Sequence, residues 1–239
     1  DFIALDVSNM VLYENTVDTL LEILLRFQEQ GWSVPKVWFY CNQQSAETMD
    51  DKEVIKKVYE RWYTQERFAD LWFAPNGKPL ITKGWNTVWN ENDQLEKTIS
   101  ETFEFRLRQW PTEAFNDNGI PWIEFTYPQP VHNGWMNVSV AQHANTVAFS
   151  DREKNWGRGY DFATGKNDDE HFREGINFKQ QWDTVYGAGD SVQYVFITGW
   201  NEWVAEKMIY NGRIQTVDQF DEEYSRDIEP CVNGFGDNV

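Results

Sequence analysis

The sequence is poor in the residues that build redox centres, metal sites and polyanion-binding surfaces. Among its 239 residues are two cysteines, Cys41 and Cys231, and three histidines, His132, His143 and His171. Two cysteines so far apart make no disulfide framework. Cys41 ends the apolar run Val37-Trp-Phe-Tyr-Cys41 and reads as a buried free thiol. No HxH, HExxH or CxxC spacing occurs, so the residues call for neither a catalytic zinc nor any other metal or cofactor. Positive charge is short as well: 21 Lys and Arg stand against 39 Asp and Glu, a formal net charge of -18. A surface of that sign repels phosphate backbones and anionic lipid, which argues against nucleic acid and membrane partners. No apolar run approaches the roughly 20 residues of a membrane span, and no signal peptide is visible. The chain opens without Met inside the strand-like run Asp1-Phe-Ile-Ala-Leu-Asp6, and from this we expect N-terminal material to be missing. Oligomeric state is left open.

What the chain has in excess is aromatic rings, with 13 Trp, 10 Tyr and 16 Phe making 16% of residues. Two readings stand side by side. Large rings fill cores efficiently, and they also stack on the flat apolar faces of sugars while polar groups take the hydroxyls. A neutral substrate suits so acidic a surface, although acidic residues spread along the chain also describe a simple solvated face.

Seven short apolar or β-branched runs recur: Phe2–Val7, Val37–Cys41, Pro79–Lys83, Phe103–Leu107, Trp122–Thr126, Met136–Ala141 and Tyr194–Thr198. Between them lie helical patterns. The first carries Val17, Leu20, Leu21, Leu24 and Leu25, capped by Asn15 or Thr16 and closed at Gly31. The second is expected to start at Ser45 and to carry Met49, Val54, Ile55, Val58 and Trp62. The third is expected over Asp168–Tyr186, with Phe172, Ile176, Trp182 and Tyr186 turned inward. Strand–helix alternation predicts an α/β fold with a parallel sheet. Seven strands plus one missing at the start suggest an irregular (β/α)8 TIM-type barrel lacking its first strand, occupying residues 1–230 as one domain with a tail over 231–239. An open doubly wound sheet is the alternative. Residues 144–167, rich in Asn, Asp, Gly and Arg, read as a long loop.

In a barrel of that kind chemistry gathers where strands end. Those ends carry Asp6 and Asn9, Asn42, Trp85, Trp110, Glu124 and Tyr127, Gln142 and His143, and finally Thr198-Gly-Trp-Asn-Glu-Trp203. Turn chemistry alone favours Asn and Asp there, but it does not favour Trp. Glycoside cleavage wants two carboxyl groups, one of them protonated. Glu202 is the leading candidate. Trp200 and Trp203 would exclude water and raise a carboxyl pKa, and Asn201 would fix its orientation. For the second carboxyl group two residues compete: Glu206, four positions on, and Asp6, at the end of the first run.

The segment Ile197-Thr-Gly-Trp-Asn-Glu-Trp203 resembles the motif near the last barrel strand of glycoside hydrolase family 99 and, more distantly, family 71. Family 99 holds endo-α-mannosidases and endo-α-mannanases, whose motif Asn-Glu-Trp-His-Glu-Gly carries two catalytic glutamates. The resemblance implies that Glu202 acts as base on a sugar 2-hydroxyl through an epoxide-like intermediate. The second glutamate, the family's general acid, falls on Ala205, and the next carboxylate is Glu206. Val138-Ser-Val-Ala-Gln-His143, Arg158-Gly-Tyr-Asp161 and Val217-Asp-Gln-Phe-Asp-Glu-Glu-Tyr-Ser-Arg-Asp-Ile-Glu-Pro230 also resemble stretches of bacterial proteins in this wider group. The likeness implies a secreted or periplasmic polysaccharide-degrading protein. Around the sugar we expect Asn9, Asn42, Trp110, Tyr127, Gln142, His143, Arg158, Trp200 and Trp203. The expected activity is a glycoside hydrolase on a neutral polysaccharide or glycan; a non-catalytic carbohydrate-binding barrel is the alternative.

Overall fold

The computed structural model describes residues 1–41, 51–143, 154–201, 207–210, 212–216 and 222–229. The chain forms two compact units, Asp1–Arg108 and Gln109–Val239.

In the first unit β1 (Phe2–Asp6), β2 (Lys36–Tyr40), β3 (Leu80–Lys83) and β4 (Glu104–Gln109) run parallel in sequence order. Helix α1 (Glu14–Glu29) joins β1 to β2 and buries Val17, Leu21 and Leu24, one stripe of the 3.6-residue period. It ends before Gly31, whose φ of 83° is the left-handed geometry that glycine adopts at little cost. Its start differs from expectation. The helix begins at Glu14 behind Tyr13, itself left-handed at φ 48°, and no side chain caps it. Helix α2 (Asp51–Val58) runs on through a π-helical turn at Tyr59–Tyr63. It buries Val54, Ile55, Val58 and Trp62 against Phe39, whose ring stacks on Trp62 at 5.3 Å.

Helix α3 (Gln94–Thr102) precedes β4 and carries only the short apolar line Leu95 and Ile99 to announce it. Asp93 caps it by accepting from the amides of Leu95 and Glu96, both at 3.0 Å. Its buried residues are Ile99 and Glu96, and the latter is paired with Lys52 at 2.6 Å and Lys56 at 3.0 Å. The Lys52 ammonium, with help from the Asn90 amide, holds the Glu96 carboxyl down to about 2. At the end of β2, Cys41 is a buried free thiol. Thr82 on β3 braces it, its hydroxyl donating to the Cys41 carbonyl at 2.9 Å and accepting from the Cys41 amide at 2.8 Å.

The second unit is built on the parallel pair β6 (Trp135–Ser139) and β9 (Tyr194–Thr198), in full register from Trp135 opposite Tyr194 to Ser139 opposite Thr198. Helix α4 (Ile176–Ala188) leads into β9. Two small antiparallel hairpins accompany the pair: β7 (Tyr160–Asp161) with β8 (Lys166–Asn167), and β10 (Lys207–Tyr210) with β11 (Arg213–Thr216).

The described residues do not form the eightfold barrel expected from the strand count. Among them the strands of the first unit form the ladder β1-β2-β3-β4, the second unit adds the short strand β5 (Gly119–Pro121), and β6-β9 is a separate two-stranded sheet. The break falls at Trp122–Thr126, expected as a strand and irregular in the structure. The Trp122 amide still donates to the Gln109 carbonyl at 3.2 Å, but further backbone groups are taken by side chains instead of a ladder. The Trp122 carbonyl accepts from the Thr198 hydroxyl and from the Asn137 amide, and the Glu124 amide donates to Asn137 Oδ1 at 3.0 Å.

The third helix also differs. It starts at Ile176, after Gly175 in the left-handed region at φ 64°, and Tyr186 is 74% exposed. Its buried line is Asn177, Gln181 and Val185, with Phe178 and Trp182 packed beside Met136 and Val138. Gln181 faces the end of β6, donating to the Ser139 carbonyl at 2.6 Å and accepting from the Ser139 amide at 3.0 Å. Two polar residues thus occupy places that a hydrophobic pattern assigns to apolar ones.

Candidate functional site

Asn137, fully buried in the middle of β6, ties that strand to the second half of β9. Its side-chain amide donates to the Phe196 carbonyl at 2.9 Å and to the Thr198 hydroxyl at 2.8 Å. β9 is thereby pinned at its last residue, and Gly199, Trp200 and Asn201 leave it in a defined direction.

Segment 222–229 lies against that exit. The Ile228 amide donates to the Gly199 carbonyl at 2.8 Å, and the Glu229 amide to the Trp200 carbonyl at 2.8 Å. Gly199 has a φ of 84°, and a Cβ there would stand 2.1 Å from the Arg226 carbonyl oxygen. Only glycine admits this approach. Arg158 clasps the same segment from the other direction. Its amide donates to the Glu223 carbonyl at 2.8 Å, and its guanidinium to the carbonyls of Asp227 at 2.5 Å and Ser225 at 3.4 Å. Gln142 joins through a backbone bridge to Trp156 and accepts from Asn177 Nδ2 at 3.0 Å. The segments around Gln142-His143, Arg158–Asp161, Thr198–Asn201 and Glu222–Glu229 therefore converge in one unit.

Arg226, 3% exposed, sets the electrostatics of this region. Its guanidinium lies over the Trp122 ring, 5.0 Å from the centroid, and Trp122 stacks on Trp110 at 5.0 Å and 14°. His143, 3% exposed and 5.9 Å from the Phe125 ring, is pushed down to about 3 by burial and by the Arg226 charge. It is a neutral imidazole at ordinary pH.

The expected residues divide as follows. Trp110, Gln142, His143, Arg158, Trp200 and Asn201 belong to the second unit, and of these Trp200, 58% exposed, and Asn201 are open to solvent. Tyr127 belongs there too, stacked on Phe162 at 3.6 Å. Asp6 and Asn9 lie in the first unit and close turns: Asp6 Oδ1 accepts from Ser8, Asn9 Oδ1 from Val11. Asn42, Glu202, Trp203 and Glu206 lie outside the described residues. Glu124 bonds His132 Nε2 at 2.8 Å, while His132 Nδ1, facing the Asn116 carbonyl at 2.8 Å, must be a donor there. Sequence reasoning did not single out Trp122 or Arg226. Trp122 resembles core filler in sequence, and Arg226 stood in a noted stretch without a role.

Among the described residues no group of three His, Cys, Asp or Glu is placed to hold a metal ion, and no helix is long and apolar enough to cross a membrane. No family model matches the sequence, and no solved structure matches it. Stretches of it are similar to the isoleucine–tRNA ligases of Sulfurihydrogenibium sp. (strain YO3AOP1) and Persephonella marina (strain DSM 14350 / EX-H1). Identity is 21% in both, over 131 and 126 residues respectively. Each match takes in 48% of this chain and 13% of the ligase. The chain thus spans about an eighth of the length of these relatives, and a match of that extent assigns no family.

Proposed function

We propose that the chain is a glycoside hydrolase acting on a neutral glycan or polysaccharide, with Glu202 as the carboxylate that moves the proton. The observation that carries the reading is the pinned exit of β9. Buried Asn137 and the 222–229 segment fix Gly199 and Trp200, and Trp200 offers an open indole face just before Asn201 and Glu202. An indole of that kind stacks on a pyranose ring, and a carboxyl group next to it reaches the glycosidic bond. The stacked Trp110–Trp122 pair and Arg226 belong to the same unit, and the likeness of Ile197–Trp203 to family 99 agrees with the reading. The net charge of -18 favours an uncharged substrate.

Non-catalytic saccharide binding is the second reading, favoured by Ala205 standing where the family motif has its second glutamate. Reducing-end release from neutral polysaccharides, α-mannans first, separates the two. Wild type is expected to release ends and Glu202→Gln to lose at least 1,000-fold, on the order of 4 kcal/mol of transition-state stabilisation. Equal release by both proteins removes Glu202 from the chemistry; binding without release by wild type selects the second reading.

A further inference from the structure

An open cavity of about 670 Å³ lies in the same unit, lined by Asn155, Trp156, Tyr160, Lys166, Asn167 and Tyr224 among others. Its volume suits one or two pyranose rings. Trp156 and Tyr160 stack on each other at 5.3 Å and 26° and are each only partly buried, which makes a two-ring aromatic wall. Gly157 lets that wall approach its surroundings, since a Cβ there would meet Glu223 Cγ at 3.0 Å and Tyr224 Cε1 at 3.1 Å. Asn167 is anchored by its bonds to the Gly157 amide at 2.8 Å and the Asn155 carbonyl at 2.9 Å.

Asn155 supplies the second observation. It is 2% exposed, and among the described residues neither its amide nitrogen nor its amide oxygen meets a hydrogen-bond partner. A buried amide left unbonded is costly, and in native proteins it points to a bound water or ligand. Here it stands in the wall of a polar, aromatic cavity.

We propose that this cavity is a saccharide-binding subsite: Trp156 and Tyr160 take a pyranose ring face, and Asn155 takes a hydroxyl. The proposal rests on the glycoside hydrolase reading and adds a place for sugar units away from the exit of β9. Tyr224 lines the cavity and belongs to the segment that clasps Gly199 and Trp200, so the two places share one element.

The test uses the full chain carrying Glu202→Gln, which stops turnover, and saturation-transfer NMR with α-1,6-mannotetraose, cellotetraose and xylotetraose. At least one is expected to bind. Adding Trp156→Ala or Asn155→Ala is expected to weaken that binding at least tenfold, and Trp156→Phe to restore it to within threefold. Asn155→Ala loses no side-chain hydrogen bond to the described residues, so its melting temperature is expected not to fall. Undiminished binding by both alanine variants overturns the subsite and leaves the hydrolase reading standing. No binding of any tetrasaccharide also overturns it, while reducing-end release by wild type judges the hydrolase reading separately.

Discussion

Replacing Gly199 by alanine tests how the exit of β9 is held. The new Cβ would stand 2.1 Å from the Arg226 carbonyl oxygen and 2.8 Å from its carbon, both backbone atoms that no rotamer change can remove. Van der Waals contact lies near 3.5 Å, so the 226 backbone must retreat by roughly 1 Å or more. That retreat strains the bonds from Ile228 to the Gly199 carbonyl and from Glu229 to the Trp200 carbonyl, each worth about 1 kcal/mol. Holding alanine at a φ of 84° adds about 1–2 kcal/mol. Together these give a loss of about 3–4 kcal/mol, read as a fall in the urea midpoint followed by far-ultraviolet circular dichroism. Reducing-end release should fall further than the folded fraction accounts for, since the chain leading to Glu202 is displaced. A midpoint within about 0.5 kcal/mol of wild type refutes the close approach.

Three further outcomes follow from the same geometry. Asn137→Ala removes two N–H groups shared among the Trp122 and Phe196 carbonyls and the Thr198 hydroxyl, and one acceptance, inside the core and is expected to cost about 3–5 kcal/mol in the same urea assay; a loss below about 1 kcal/mol contradicts its role. His143 is held at about 3 when folded, against about 6.5 when unfolded. The unfolded chain therefore takes up a proton that the folded one refuses, and this group's contribution is complete above about pH 6.5 and shrinks by about 1.4 kcal/mol per unit as pH falls toward 3. His143→Phe should flatten that slope between about pH 6.5 and 5, and an unchanged slope refutes the assignment. Trp200→Ala, at a side chain 58% exposed, should leave the melting temperature within the equivalent of about 0.5 kcal/mol and weaken oligosaccharide binding about tenfold; unweakened binding removes Trp200 from the site.

The strands were legible wherever their residues are apolar and β-branched. β1, β2, β3, β4, β6 and β9 all fall within a residue or two of the runs that announce them. Trp122–Thr126 carries the same pattern but surrenders its backbone bonds to Asn137 and Thr198, side chains that a local pattern cannot bring to it. The eight-strand count, which leaned on that run, gave way with it. Among the helices, α1 was legible in all but its cap, α4 was expected but with too early a start, and α3 was not expected. α1 shows a leucine stripe, whereas α3 turns a paired Glu96 inward, and α4 turns Asn177 and Gln181 inward to bond Gln142 and the end of β6. For the site, the four stretches noted in the sequence converge in space, because their glycines and carbonyls meet. What the sequence concealed is which side chains serve as braces. Gln142 and Arg158 read as sugar-facing groups, and both spend their hydrogen bonds on neighbouring segments. Arg226 and Trp122 make a cation–ring contact across more than a hundred residues that no periodicity foretells.

Hydrogen exchange of the full-length Glu202→Gln chain, with and without saturating α-mannan oligosaccharide, bears most directly on the claim that a saccharide lies at the exit of β9. Slowed exchange over residues 198–201 and 222–229 is the predicted result. Unchanged exchange there while a bound oligosaccharide protects other segments contradicts the account.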